Sequence, residues 1–211
     1  MPLEYTHYPV YFFVMDRPPG TREHIVSAAA DLFYGEGIRA VSMDAIAARA
    51  GVTKRTLYYH FASKDDLVAA YLQERDQPNL ARFRRWFRNA DGDLGDRLQA
   101  VFRQLAKAAS NRRWNGCGFL RTSAELANMP GHPAMQAARM HKKRVEAWLA
   151  EECTAAGCTM PKDLARQLMI LLDGGFATVL MHRDPAYLEA AGMAAAALVR
   201  TAEAKRMGAV R

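Results

Sequence analysis

Residues 42–66 constrain the fold of this chain more than any other segment. Their first apolar side chains recur with the spacing of one helix face, at Met43, Ile46, Ala47 and Ala50. Gly51 follows, and glycine can reverse the chain because it adopts positive φ without a Cβ clash. Thr53 is then placed to cap the next helix with its hydroxyl. The spacing therefore predicts two short helices, over residues 43–50 and 54–61, joined by a tight turn.

The second of these helices has one face that packs against the first helix and other faces that carry polar side chains. Leu57 and Phe61 are four residues apart and point back at the first helix, which leaves Lys54, Arg55, Thr56, Tyr58, Tyr59 and His60 on the other faces. Cationic side chains can pair with phosphates or guanine edges, and tyrosine hydroxyls can reach phosphates. The pattern favours a helix-turn-helix whose second helix enters the DNA major groove. The alternative is a helical hairpin with a solvated polar face.

Five segments in fixed order make the interpretation more specific: residues 25–33, 42–47, 50–54, 57–61 and 63–67. Together they resemble the DNA-binding domain of the tetracycline-repressor (TetR) family, over roughly a quarter of the chain. The resemblance implies that Ser42 touches phosphate at the start of the first helix, and that Lys64 reaches a phosphate from the helix after the recognition helix. The implied DNA-binding set is Ser42, Thr53, Lys54, Arg55, Thr56, Tyr58, Tyr59, His60 and Lys64.

The formal net charge of +7 does not by itself locate this DNA-binding surface. Residues 20–70 carry six Lys/Arg and six Asp/Glu, whereas residues 75–113 carry ten Arg/Lys and four Asp. Bulk charge would therefore attract DNA only diffusely, and contact would depend on the local cluster of Lys54, Arg55 and Lys64.

The rest of the chain is predicted to be helical, which makes the fold all-α with about nine helices. Further helix starts are expected at Thr21, Ser63, Asp93, Phe119, Pro133, Pro161 and Asp184. Pro78 predicts a kink or a break in the helix after Ser63, because proline removes an amide and clashes one turn back. Residues 168–181 are apolar but too few to span a bilayer, and Asp173 lies among them.

Three parts are expected: a mobile extension at 1–19, a helix-turn-helix domain at 20–66, and a helical regulatory and dimerisation domain at 67–211. An alternative for the extension is an arm in which Arg17 and Arg22 reach the DNA backbone. The three cysteines are scattered and form no disulfide framework, so a reducing cytoplasm is the simpler location.

No enzyme motif is present, and no catalytic residue, metal site or cofactor is predicted. A catalytic interpretation would require contacts among Cys117, His132, His141, Asp173 and His182 that a sequence does not show.

The central helices carry more large apolar side chains than are needed to pack one side of a core. This excess predicts a cavity for an unknown small-molecule effector. Most of these side chains are expected in the core, with some lining the cavity and polar groups orienting the ligand. The predicted ligand set is Phe83, Trp86, Phe102, Phe119, Glu125, His141, Trp148, Met169, Asp173 and Phe176.

A single helix-turn-helix reads few base pairs, so a homodimer is expected to hold two copies on double-stranded DNA. Residues 168–181 are too apolar all round for a surface helix, which favours a four-helix bundle made by the last two helices of both copies. The predicted interface comprises Gly174, Gly175, Phe176, Gly192, Ala195 and Leu198. The alternative is that this surface is buried within one chain.

The resemblance to the TetR family implies a repressor that is released from a palindromic operator when a small molecule binds. Two alternatives stay open: a DNA-binding regulator without small-molecule input, and a helical binding protein that does not use DNA. Specific duplex binding separates the last from the others, and release by a small molecule separates the first two.

Overall fold

The computed structural model describes residues 20–208, with side chains as far as Glu203, so the predicted extension at 1–19 lies outside the described residues. Within that range the chain is all-α, as predicted, and contains no strand. The helices are α1 Thr21–Glu36, α2 Met43–Arg49, α3 Lys54–His60, α4 Lys64–Arg88, α5 Leu94–Ala109, α6 Gly118–Glu125, α7 Pro133–Ala155, α8 Pro161–His182 and α9 Ala186–Gly208.

Helices α1 to α3 form the predicted helix-turn-helix unit. The Ser42 hydroxyl caps α2 by accepting from the amide of Ala45 at 3.1 Å, and Thr53 caps α3 by accepting from Thr56 at 3.1 Å. Between them Gly51 has φ +61°, the conformation that the turn required. Leu57 is fully buried against this unit's own core, so the opposite face of α3 is left to solvent.

Helix α4 joins the two hydrophobic cores of the molecule. Its first half, including Leu67 and Leu72, packs in the core beneath the helix-turn-helix, whereas Leu80 and Phe87 belong to the second core. The helix runs without interruption through Pro78, so the break that the sequence allowed does not occur. Burial of apolar side chains on both sides of the proline compensates for the missing backbone hydrogen bond. The domain boundary at 66/67 stays a prediction.

Helices α5, α7, α8 and α9 surround the second core, and α9 packs along α5. Small residues permit the close contacts: a Cβ at Gly192 would lie 2.6 Å from Cβ of Phe102, and one at Gly175 would lie 2.8 Å from Leu188. Asp93 closes a capping box at the start of α5 and accepts from Arg200 of α9 at 2.9 Å. Charge pairing thus adds to apolar packing between α5 and α9.

The predicted dimer interface is largely internal to one chain, which corrects that prediction. Gly175, Phe176, Gly192 and Ala195 are buried, and Leu198 packs partly buried against the same core. The four buried residues are therefore not available to a second copy, because α8 and α9 use them to pack on each other and on α5. Gly174 alone of the six faces outward, with open space where a Cβ would stand.

Helix α8 is long and apolar enough to span a membrane. Residues 168–181 alone predicted a segment too short to do so, because α8 begins seven residues earlier, at Pro161. Core helices pass the same test, and α8 buries Leu168, Leu172 and Phe176 in the second core. The composition of α8 is therefore accounted for by packing within the protein.

Candidate nucleic-acid interface and internal cavity

The outward face of α3 presents the side chains that the sequence assigned to DNA. Tyr59 is 85% exposed and Tyr58 is 45% exposed, although tyrosine is usually buried or half-buried. The Tyr59 ring contacts the edge of His60 at 5.2 Å between centroids. Arg55 is exposed and Thr56 is half-buried on the same short helix. This face presents hydroxyl, guanidinium and imidazole groups that are exposed or half-buried.

Two lysines flank this face in different environments. Lys54 pairs with Asp44 of α2 at 2.8 Å, and the hydrogen bond to that carboxylate raises the pKa of Lys54. Lys64 begins α4 and is partly buried, and this desolvation lowers its pKa. A phosphate at α3 would have to compete with Asp44 for Lys54. Ser42 is exposed beside the start of α2 even though its hydroxyl oxygen serves as the cap.

A cavity of about 370 Å³ lies between α1, α4, the start of α6, α7 and α8. Its apolar wall is Phe83, Trp86, Leu105, Trp114, Val145, Met169, Leu172 and Phe176. Its polar groups include Tyr34, Tyr71, Glu74, Arg75, Asn79, Arg82, Cys117, His141 and Lys142. The volume is that of small-molecule sites, and the mixture of an apolar wall with a few polar groups is typical of them.

Half of the predicted ligand set lies on this cavity: Phe83, Trp86, His141, Met169 and Phe176. The others do not line it, and packing explains why. Phe102 meets α9 at Gly192, and Trp148 packs edge-on against Phe87 while its Nε1–H donates to Glu152 at 2.8 Å. Phe119 stacks on the ring of His141 at 3.7 Å between centroids, behind the cavity wall.

The two acidic residues of the predicted ligand set also have other partners. Glu125 accepts from the backbone amides of Ile38 at 2.8 Å and Arg39 at 3.2 Å, so it fastens α6 to the chain between α1 and α2. Asp173 forms an ion pair with Lys142, which itself lines the cavity. Neither carboxylate is placed to orient a ligand in the cavity directly.

Sequence reasoning missed the polar stripe of α4 that forms one side of the cavity. The stripe comprises Tyr71, Arg75, Asn79 and Arg82, and it leads to Trp86, which the predicted ligand set did include. These positions follow the period of a helix face, so their spacing was visible in the sequence, but the predicted ligand set was drawn from the large apolar positions of this helix. Tyr34, Trp114, Cys117 and Lys142 come from other helices and loops. Only the tertiary arrangement brings them to the same space.

Two networks of polar and charged groups border the cavity. Asp76 is buried and contacts both His141 and Arg144, with 2.8 Å between Asp76 Oδ1 and His141 Nδ1. Burial lowers the pKa of His141 despite the opposing effect of Asp76, so the imidazole is neutral at physiological pH. Burial alone would lower the pKa of Lys142, but the Cys117 thiol and the Asp173 carboxylate raise it above its ordinary value.

The cavity and the DNA-binding helices share Tyr34, near the end of α1. Its hydroxyl donates to the carbonyl of Gly116 at 3.2 Å and accepts from the amide of Asn115 at 2.9 Å. Its own carbonyl accepts from Arg121 of α6 at 2.7 Å and from the Asn115 side chain at 3.2 Å. Because the last carbonyls of a helix have no intrahelical partner, these bonds also cap α1.

The residues considered for catalysis do not form one cluster. Cys117 and His141 line the cavity, His132 is the buried cap of α7, and His182 is exposed near Tyr187. Among residues 20–208, no group of three His, Cys, Asp or Glu side chains is arranged to hold a metal ion. Burial raises the pKa of the Cys153 thiol to about 12, which makes that thiol unreactive at neutral pH.

Comparison with known proteins agrees with this arrangement. The family model described as bacterial regulatory proteins, tetR family, matches residues 25–71, from the core of α1 to the first half of α4. The chain is 38% identical over 58 residues to the HTH-type transcriptional regulator SrpR of Pseudomonas putida. That match spans 28% of this chain and 27% of SrpR, and therefore concerns the DNA-binding part alone.

Two solved structures resemble nearly the whole chain. A protein described as a TetR-type transcriptional regulator, from Streptomyces avermitilis, is 31% identical with a TM-score of 0.70, over 79% of this chain and 90% of that one. SCO4454, a TetR-family transcriptional regulator from Streptomyces coelicolor, is 29% identical with a TM-score of 0.75. The match covers 87% of this chain and 96% of SCO4454. With its capped helix-turn-helix and helical C-terminal half, this chain belongs to the TetR family of DNA-binding transcriptional regulators.

Proposed function

We propose that this protein is a cytoplasmic, dimeric repressor that leaves a palindromic operator when a small molecule occupies the cavity. The observation that carries the proposal is the position of Tyr34, which lines the cavity and belongs to α1 of the DNA-binding unit. A ligand that displaces this side chain would act directly on the helix that supports α2 and α3. The proposed role is binding and release, without catalysis.

Helix α6 is the proposed relay between the two sites. Arg121 binds the end of α1 through Tyr34, and one turn later Glu125 binds the amides of Ile38 and Arg39 before α2. The residues at the start of α6, Cys117 and Gly118, line the cavity. A shift of this eight-residue helix would therefore move both attachment points together.

The DNA contacts are proposed to come from the exposed face of α3 and its flanks. Tyr58, Tyr59 and Lys64 would reach phosphates, and Arg55 would reach base edges in the major groove. Ser42, Thr53, Lys54, Thr56 and His60 complete the proposed surface. Lys54 would exchange its bond with Asp44 for a phosphate, an exchange between exposed partners that costs little free energy.

The proposed dimer uses the outer face of α8 and α9, which we define by Ile170, Gly174, Met181, Met193 and Ala197. Ile170 and Met181 are each 71% exposed and Met193 is 57% exposed, a concentration of apolar surface on two adjacent helices. On α8 the outward residues Ile170, Gly174 and Met181 follow the helical period, opposite the buried Leu168 and Leu172. Two copies of this face would form a four-helix bundle and hold the recognition helices one or more DNA turns apart, roughly 34 to 36 Å per turn.

The experiment is recovery and sequencing of genomic DNA fragments retained by the purified protein. A recurrent palindromic sequence is expected, with affinity that falls steeply as salt rises. Replacing Tyr58, Tyr59 and Lys64 together by alanine should abolish retention, whereas Lys107→Ala, on the exposed side of α5, should leave it intact. Equal retention by the triple variant would refute the proposed surface. Absence of any recurrent sequence would refute the repressor proposal.

A further inference from the structure

Arg75 is a charged group of the cavity whose guanidinium forms no ion pair with the described residues. Its guanidinium lies 5.4 Å from the ring centroids of both Tyr34 and Tyr71, and all three side chains line the cavity. Within residues 20–208 it forms no ion pair and no hydrogen bond, although guanidinium carries five N–H donors. A half-buried guanidinium that only stacks on aromatic rings keeps its donors available to a ligand.

The other charges at the cavity have partners in the protein. Lys142 is paired with Asp173, and Glu74 is paired with Arg22 at 3.2 Å. Arg82 donates to Asn79 at 2.8 Å and lies over the Trp86 ring. His141 is engaged by Asp76 and kept neutral by burial. An entering molecule therefore meets, at Arg75, a guanidinium whose N–H donors the protein does not engage, in a largely apolar space.

We propose that the effector is an apolar organic carboxylate whose carboxylate accepts hydrogen bonds from Arg75. This inference rests on the proposed ligand-responsive function and identifies the chemical class that the cavity selects. A monoanion fits better than a phosphate dianion because Arg75 offers the donors of a single guanidinium and most of the wall is apolar. The body of the molecule lies against the flat rings of Trp86, Trp114 and Phe176.

The position of Arg75 also connects recognition to the DNA-binding unit. A carboxylate that pulls the guanidinium from the Tyr34 ring removes a contact to α1, whereas a neutral molecule of the same shape leaves it in place. Differential binding of this kind is what a ligand needs in order to shift an equilibrium between two conformations. The charge of the ligand, and not only its shape, then drives release.

The test compares acids with their uncharged amides. Calorimetry measures binding of naphthalene-2-carboxylate and 3-phenylpropanoate, and of the primary amide of each, to the full-length protein. Each acid is expected to bind roughly tenfold or more tightly than its amide, as hydrogen bonds to a charged group predict. In Arg75→Gln the preference should disappear while amide affinity is retained. Arg103→Gln, an exposed arginine of α5 outside the cavity, is the matched control.

Three outcomes overturn the inference: equal affinity for acid and amide, no binding by either acid, or an undiminished preference in Arg75→Gln. The comparison in the unmodified protein is decisive even if a variant folds poorly. Operator retention is measured in parallel to separate the two proposals. Amides that bind and release the operator as well as the acids would leave the repressor proposal standing and refute the carboxylate. If the acids bind with the expected preference but the protein retains no operator DNA, the carboxylate inference stands and the repressor proposal is refuted.

Discussion

The guanidinium of Arg121 donates a 2.7 Å hydrogen bond to the backbone carbonyl of Tyr34 and lies 5.7 Å from the centroid of the same residue's ring. One side chain of α6 thus holds both the end of α1 and the aromatic group that α1 contributes to the cavity. The contact joins residues 87 positions apart in the chain. It joins the DNA-binding unit to the wall of the cavity.

Replacing Arg121 by alanine should loosen this junction. The Tyr34 carbonyl would keep only the Asn115 side chain as a partner, so the free energy of unfolding should fall by about 1 to 3 kcal/mol. Amides 34–37 should exchange hydrogen faster, as local opening becomes easier. Urea unfolding and hydrogen exchange measure the two effects, with Arg113→Ala, an exposed loop arginine, as control. Unchanged exchange at the end of α1 would show that the junction does not depend on Arg121.

Leu57→Ala tests the packing of the recognition helix. The side chain is fully buried, and truncation of such a leucine costs about 2 to 5 kcal/mol. Because α3 has only seven residues, it depends on this contact for its orientation, so operator binding should fall even where the protein remains folded. Circular dichroism during urea unfolding and a DNA-binding titration measure the two losses. A variant with full operator affinity would contradict the assigned role of Leu57.

The dimer prediction is tested on the outer face and not on the buried one. Ile170→Arg together with Met193→Arg places charges on two exposed positions, so sedimentation should show folded monomers that no longer retain operator DNA. Phe176→Arg is the contrasting variant. The rings of Phe176 and Trp114 pack inside the chain with 6.3 Å between their centroids, so an arginine at this position should destabilise the monomer itself. A double variant that stays dimeric would move the interface elsewhere.

Stability should depend on pH through His141. Burial lowers its pKa in the folded protein, whereas the unfolded chain titrates near the ordinary value of about 6.5. Below that value the unfolded state binds more protons than the folded state. The contribution of neutral His141 to the free energy of unfolding is therefore fully present above a pH of about 6.5 and is lost as the pH falls toward the pKa of His141 in the folded protein. Urea unfolding from pH 8 to pH 5 should show a shallower dependence in His141→Gln than in the unmodified protein. Equal pH dependence would show that another group controls the effect.

The sequence by itself determined the local structure of the DNA-binding unit. Caps at Ser42 and Thr53, the turn at Gly51 and the buried Leu57 all depend on neighbours within a few residues, so spacing predicts them. The same reasoning placed the long C-terminal helices, because a helical period is a property of contiguous sequence. It also identified that α8 is apolar enough to be buried.

Only the tertiary structure decided what each buried face packs against. The apolar and small residues around Gly175, Phe176 and Gly192 indicate that these positions are buried. Whether they pack against α5 or against a second copy depends on how α8 and α9 are rotated within the fold. The cavity is decided in the same way, since Tyr34, Arg75 and Lys142 come from three helices. Hydrophobic burial is not directional, so a sequence specifies that a side chain leaves water without specifying its partner. The close fit of side chains and the pairing of charges across helices select that partner, and they exist only in the assembled fold.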